Sequence, residues 1–111
     1  MAEEIKKYSV NVTANAKKDL REIVSYILQN NPRNGLKILE KIEAKINTLD
    51  HFPYRGAYVP ELLKKNIKEY RQIIESPWRI IYRVDKDIVT ILLIIDSRRN
   101  IQDILTQRLI K

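Results

Sequence analysis

Cysteine is absent from the 111 residues, and histidine occurs once, as His51. Disulfides, thiolate chemistry and a zinc site of the usual Cys/His kind are therefore excluded by count, and no metal or cofactor is expected. His51 stands alone in a loop, where an ordinary surface or packing role is expected. Glycine is nearly as scarce, with only Gly35 and Gly56, so no glycine-rich phosphate loop can be built. No apolar run approaches the ~18 residues that a membrane helix needs, and "MAEEIKKYSVNV" has no apolar core of signal-peptide length. The chain is read as cytoplasmic, with no membrane partner. No nucleophile–base pair and no carboxylate pair at useful spacing is visible, so conventional hydrolase or kinase chemistry has no candidates.

Positive charge is what the chain has in excess. Twenty-one Lys and Arg against fourteen Asp and Glu give a formal net charge of +7, which favours acidic partners such as nucleic acid or an acidic protein. The excess is spread evenly, with ten basic and seven acidic residues in 1–60 and eleven and seven in 61–111. A basic patch would have to be made by folding. The length predicts a single domain over 1–111 with one core.

"YSVNVT" alternates polar with aromatic and β-branched residues and predicts a first strand over Tyr8–Thr13. Thr13 can cap a helix whose apolar stripe is Ala16, Leu20, Ile23, Val24 and Ile27. "NNPRNG" interrupts that pattern, with Asn31 as the next cap and Pro32 at the first helical position. The second helix points Leu36, Leu39, Ile42, Ile46 and Leu49 inward, and the short connection makes the two helices antiparallel. "DHFPYRGAYVPEL" reads as a loop that packs its own rings. After it the period falls to two, and "EYRQII", "WRIIYRV" and "DIVTILLII" read as strands joined by hairpins at "ESP" and "DKD". "NIQDILTQRLIK" closes the chain as a short helix capped by Asn100, with Ile101, Ile104, Leu105 and Leu109 on its apolar side. The order is β-α-α-β-β-β-α: an α+β fold with a small antiparallel sheet, two N-terminal antiparallel helices and a short C-terminal helix.

Arginines stand at both ends of the apolar strands. If "DKD" is a tight turn, Arg79 at the start of one strand comes near Arg98 and Arg99 at the end of the next. A three-residue connection at "ESP" sets Ile73 against Arg79 and Arg71 against Ile81, which places Arg71, Arg79 and Arg83 on one sheet face. A four-residue connection turns Arg71 away. The expected product is an arginine-rich surface bordered by Tyr70, Trp78 and Tyr82, suited to phosphates and bases. The competing reading is structural: Arg79 or Arg83 pairs with Glu69, Glu75 or Asp85 on neighbouring strands, and Trp78 is a core or rim aromatic.

Together "AKKDLREI", "FPYRGAYVPEL", "YRQIIESPWRIIYRV" and "IIDSRRN" resemble the RelE/ParE superfamily of toxins from type II toxin–antitoxin systems, and its ParE-like plasmid stabilisation branch in particular. The resemblance covers about Tyr8 to Leu105 and implies a compact fold with the two helices packed on the sheet. It implies two classes of activity. RelE-like members cleave mRNA in the ribosome without metal, using basic side chains and often a tyrosine near the C-terminus; ParE-like members inhibit DNA gyrase. By this resemblance Arg79 takes the place of the RelE-type strand arginine and Arg98 that of the arginine after the last strand. Where paired lysines are expected the chain reads Tyr70, Arg71, Gln72; Ile104 or Leu105 stands near the place of the C-terminal tyrosine, and Asp96 where a histidine is common. Acid–base work would then fall on arginines, whose pKa above ~12 makes them poor proton carriers. Only Tyr70, Tyr82 and Asp96 remain nearby, and Asp96 beside Arg98 and Arg99 is expected to stay ionised and orient them.

The resemblance therefore points first to a toxin that acts by binding, with DNA gyrase as the expected target and a small acidic antitoxin, encoded beside it, as the partner. Arg71, Arg79, Arg83, Arg98, Arg99 and Trp78 are the expected target- or phosphate-contacting residues. The alternative is a ribosome-dependent mRNA interferase with Arg79, Arg98, Tyr70 and Tyr82 in the catalytic roles. A non-toxic nucleic-acid-binding module is a third reading, and it rests on net charge alone.

Overall fold

The computed structural model describes residues 6–109. Strand β1 (Ser9–Val12) leads into helix α1 (Ala14–Asn30), which starts where the sequence provides an acceptor: Thr13 Oγ1 receives the Ala16 N–H at 3.1 Å. Asn31 both ends this helix and begins the next. Its N–H donates to Ile27 O at 2.7 Å, and its Oδ1 accepts the Asn34 N–H at 3.2 Å at the start of α2 (Pro32–Asn47). The turn between antiparallel helices is tight because Gly35 has no side chain, since a Cβ there would lie 2.7 Å from Leu28 Cδ2. Leu36, expected inward, is instead 59% exposed, because its neighbour Gly35 occupies the contact with α1. Ala16, Ile42, Ile46 and Leu49 are buried as expected, Leu49 in a single 3₁₀ turn over Thr48–Asp50.

Two segments of the expected loop are ordered elements, strand β2 (Ala57–Tyr58) and the one-turn helix α3 (Pro60–Leu63). Strands β3 (Arg71–Glu75), β4 (Trp78–Asp85) and β5 (Ile88–Asp96) follow, and α4 (Ile101–Arg108) is capped by Asn100 Oδ1. The expected helix end at Ile110 and Lys111, and residues 1–5 of the stretch read for a leader, lie outside the described residues. The sheet order is β1-β5-β4-β3-β2. Antiparallel pairing runs from β2 to β5, as the short connections from β3 to β5 require and as the longer one through α3 allows, and β1 joins β5 in parallel, with Ser9 opposite Ile88 and Val12 opposite Ile91. No hairpin links those two strands, so turn length carried no information about their direction. Among the described residues no helix is long and apolar enough to cross a membrane.

Both hairpins are tighter than expected. Glu75 pairs with Trp78 across Ser76 and Pro77, and Asp85 pairs with Ile88 across Lys86 and Asp87, with Lys86 in the left-handed region at φ 55°. The first of these overturns the expected register: Ile74, not Ile73, lies opposite Arg79, and Arg71 lies opposite Tyr82. Alternation then sends Arg71, Ile73, Ile80 and Tyr82 to one face and Gln72, Arg79 and Ile81 to the other. The first face packs on Ala16, Ile42, Ile46 and Leu49, and the second on Val59, Leu62, Ile101 and Leu105. In β5 the register slips by one at Leu92, so Ile81 pairs with Leu93 and Tyr82 with Ile91.

Past Val12, β5 has no parallel neighbour, and side chains close its open edge. Asp19 Oδ2 accepts the Ile94 N–H at 3.1 Å, Asp19 Oδ1 accepts from Arg108 Nη2 at 2.6 Å, and Arg108 Nη1 donates to Leu92 O at 3.2 Å. The segment after α2 is fixed differently. Two of its three rings do not pack as expected, since Phe52 and Tyr54 are 61% and 57% exposed, while Tyr58 is partly buried. The buried hydroxyl of Tyr82 holds it instead, donating to Pro53 O at 2.8 Å and accepting the Gly56 N–H at 3.0 Å. Gly56 is required there, because a Cβ would lie 2.5 Å from Gln72 O and 2.6 Å from Tyr82 Oη. Tyr82→Phe should therefore leave a buried donor and a buried acceptor unpaired and lower stability by roughly 1–3 kcal/mol in urea unfolding; an unchanged midpoint would mean that this hydroxyl does not anchor the segment.

Candidate target-binding surfaces

Arg79 is where sequence and structure part most clearly. It lies on β4 facing the second cluster, only 8% exposed, and it does not line the surface that holds Arg98 and Arg99. Nη1 and Nη2 each donate to Glu61 at 2.8 Å, one to each carboxylate oxygen, and Nε donates to Gln72 Oε1 at 2.8 Å, with Nη2 donating to the same oxygen. The hydrogen bonds from Arg79 hold the Glu61 carboxyl below its ordinary value, against the opposing effect of its burial. A side chain expected in an open basic cluster is an internal fork-to-fork ion pair. The acid is none of Glu69, Glu75 and Asp85. It comes from α3, in the segment read as a loop, so no cross-strand rule pointed to it.

At the N-terminal end of β4, Trp78 lies opposite Asp96, and the chain turns sharply after β5: Ser97 N–H donates to Pro77 O at 2.8 Å and Arg99 N–H to Asp96 O at 3.1 Å. Asp96 accepts Arg98 Nε at 2.9 Å, Nη2 at 2.5 Å and the Arg98 backbone N–H at 2.8 Å. These bonds hold its carboxyl down to about 2. Asp96 thus orients Arg98, as its neighbours in sequence imply, while the Arg98 side chain stays 77% exposed. Trp78 is a rim aromatic, partly buried against the helix-side cluster. Together Trp78, Arg98 and Arg99 border a groove of about 550 Å³ whose other wall includes Ile23, Tyr26 and Ile38 from the two helices.

Arg71 and Arg83 lie elsewhere. From Trp78 to Arg83 is five residues along β4, roughly 16 Å at the usual strand rise. Here Arg71 Nη1 donates to Gly56 O at 2.8 Å, and its guanidinium carbon sits 4.5 Å from the Tyr58 ring centroid and 5.3 Å from that of Tyr54. The expected single arginine cluster is therefore three separate arrangements: a buried pair at Arg79, a groove at Arg98 and Arg99, and a polar cavity at Arg71 and Arg83.

The groups named for proton transfer are also apart. Tyr82 is fully buried among the helix-side residues, and burial pushes its hydroxyl pKa up. Tyr70 is buried in the opposite cluster. His51 Nδ1 meets Asp50 Oδ1 at 2.6 Å at the surface, the ordinary role expected of it. Among the described residues no group of three or more His, Cys, Asp and Glu is placed to hold a metal ion. The Asp96–Arg98 pair gives a direct check. In an NMR titration Asp96 should lose its proton near pH 2, and Arg98→Ala should return it towards the ordinary ~3.9. Because the folded value is the lower one, the pair's contribution to stability is complete above about pH 4 and disappears as pH falls through about 2. An Asp96 that titrates identically in wild type and Arg98→Ala would contradict this geometry.

No curated protein matches the sequence. Residues 10–101 match the family described as ParE toxin of type II toxin-antitoxin system, parDE. Among solved structures the fold is similar to a chain of the chromosomal ParDE TA system from P. aeruginosa, at 23% identity and a TM-score of 0.68, covering 82% of this chain and 97% of that one. It is also similar to a chain of the RelBE2 toxin–antitoxin complex from Mycobacterium tuberculosis, at 23% identity and a TM-score of 0.59, covering 81% and 98%. At that identity the likeness to these structures concerns the fold. The family match is broader evidence, since it runs from β1 through both helices and the whole of β2 to β5 as far as Ile101. The chain belongs to the ParE toxin family of type II toxin–antitoxin systems.

Proposed function

We propose that the chain is a cytoplasmic growth inhibitor that acts by binding its target, with DNA gyrase as the target that family resemblance suggests. The observation that carries this reading is the placement of the groups a metal-free RNA cleavage would call on. Attack by a 2′-hydroxyl needs one proton removed, another delivered and a phosphorane stabilised. Arg79 is tied to Glu61, Tyr70 and Tyr82 are buried on opposite faces, and Asp96, the acid that accepts from exposed Arg98, is held ionised; Asp19, Glu22 and Tyr26 line the same groove from α1, and Asp19 is itself paired with Arg108. Arg98 and Arg99 can stabilise an anion but carry protons poorly, so binding suits this surface better than cleavage.

The partner is an antitoxin of acidic character. The two solved structures described above are of toxin–antitoxin systems, and a net charge of +7 favours an acidic chain. The groove between Tyr26 and Trp78 carries Ile23, Ile27 and Ile38 on its helix wall beside Asp19 and Glu22 and is edged by Arg98 and Arg99, which fits an amphipathic segment whose acidic residues lie on the arginine side. Covering it would place the same two arginines out of reach of the target.

Induction in a growing culture separates the readings. Growth arrest with double-strand DNA breaks and intact ribosome-bound mRNA is expected, relieved by co-expression of the small acidic protein encoded beside the chain. Arg98→Ala and Arg99→Ala should each weaken arrest while leaving Tm nearly unchanged, because exposed ion pairs contribute only ~0–1 kcal/mol. Codon-positioned cuts in mRNA, lost in Arg98→Ala, would instead make the chain a RelE-like interferase.

A further inference from the structure

The cavity at the far end of β4 from the groove is polar, has a volume of about 440 Å³ and is lined by Tyr54, Tyr58, Lys68, Arg71 and Arg83, with the carboxylates of Glu69 and Asp85 at the same site. Arg71 is prepared for a ligand in a specific way. Two tyrosine rings hold the guanidinium, and two loop carbonyls, Gly56 O at 2.8 Å and Tyr54 O at 3.4 Å, accept from Nη1 alone. Nε and Nη2 form the other edge of the fork, and neither donates to any group among the described residues. That edge matches two oxygens of an oxyanion, and the clamp has already removed the side-chain freedom that binding would otherwise have to restrict. Neither Glu69 nor Asp85 lies within ion-pair distance of Lys68, Arg71 or Arg83 among the described residues, so three cations face two carboxylates without pairing.

The rings set the rest of the chemistry. Tyr54 is more than half exposed and continues edge-on into Tyr8 at 6.4 Å between centroids, with Lys6 Nζ 5.5 Å from the Tyr8 ring. The run of groups is therefore Tyr8, Tyr54, Arg71 and Tyr58, with rings on both sides of one cation, and Lys6, paired with Asp87, at the Tyr8 end. An acidic peptide would answer the cations and leave the ring faces to water. A strand with unpaired bases answers both, because every base offers a flat face and every linkage a phosphate. In a duplex those faces are stacked away. We propose that this cavity binds single-stranded nucleic acid, with successive phosphates on Arg71 and Arg83 and a base stacked on Tyr54. The site is separate from the Trp78 groove, and the inference does not depend on which target the toxin inhibits.

The test is fluorescence anisotropy of labelled 12-nucleotide dT and rU strands with the full chain at 50 and 200 mM salt. Arg83→Ala should weaken binding at least fivefold and reduce the salt slope by about one, and Tyr54→Ala should weaken it about fivefold or more. Both side chains are exposed, so these variants should melt with the wild type. Arg71→Lys, which keeps the charge and loses the fork, should also bind less tightly, whereas Lys41→Ala on the outer face of α2 should bind as wild type does. Unchanged affinity in Arg83→Ala and Tyr54→Ala would overturn the proposal. So would an equal loss in Lys41→Ala, equal affinity for a 12-base-pair duplex, or tight binding of a poly-glutamate peptide with no binding of either strand.

Discussion

The pairing of Glu75 with Trp78 across only two residues is the constraint on which the remaining arrangement depends. In a strand covered on both faces, each residue goes to one cluster or the other, and a slip of one position exchanges the two sets. With this register Ile80 and Tyr82 meet the helices, and Arg79 is carried into the opposite, largely apolar face. A guanidinium there needs full pairing, because an uncompensated buried charge is strongly destabilising. Glu61 and Gln72 supply it. The one-turn helix α3, begun by Pro60, places Glu61 on that face, and Gln72 reaches it because alternation puts it on the same side of β3 as Arg79.

The same register fixes both exposed surfaces. Tyr82, pointed to the helix side, reaches past the sheet to anchor Pro53 and Gly56, and this brings Tyr54 and Tyr58 around Arg71. At the other end, Trp78 meets Asp96, and Asp96 holds Arg98 over the groove. The turn after β5 thus carries Arg98 and Arg99, the segment anchored by Tyr82 carries Tyr54, and the buried Arg79 network braces the strand between them. The two surfaces differ in chemistry: one is an apolar trough with a cationic edge, the other a polar cavity walled by aromatic rings.

Much of this was legible in the sequence. Thr13, Asn31 and Asn100 each mark a helix start by a local rule, a side-chain acceptor before an apolar stripe, and each makes the cap that its residue type implies. The three C-terminal strands follow from a period of two, and the Asp96–Arg98 pairing from proximity in the chain. What was not legible is long-range. Turn length at "ESP" differs by one residue between two acceptable hairpins, and local composition does not choose between them; packing of Ile73, Ile80 and Tyr82 on the helices does. The partner of β1 and the pairing of Arg79 with Glu61, eighteen positions away, are likewise set by tertiary structure. The exposed Phe52 and Tyr54 had no sequence signal against packing, since apolar rings in a loop read the same whether they face a core or a ligand.

The central claim is that Arg79 is an internal support and not a target contact. A double-mutant cycle tests it most directly: Arg79→Ala, Glu61→Ala and the double variant, each unfolded in urea. The ion pair predicts a coupling energy of about 1.5 kcal/mol or more, with the double variant much less destabilised than the two single changes together. Additivity to within ~0.5 kcal/mol would show that the two side chains do not support each other, and would return Arg79 to the candidate target-binding residues.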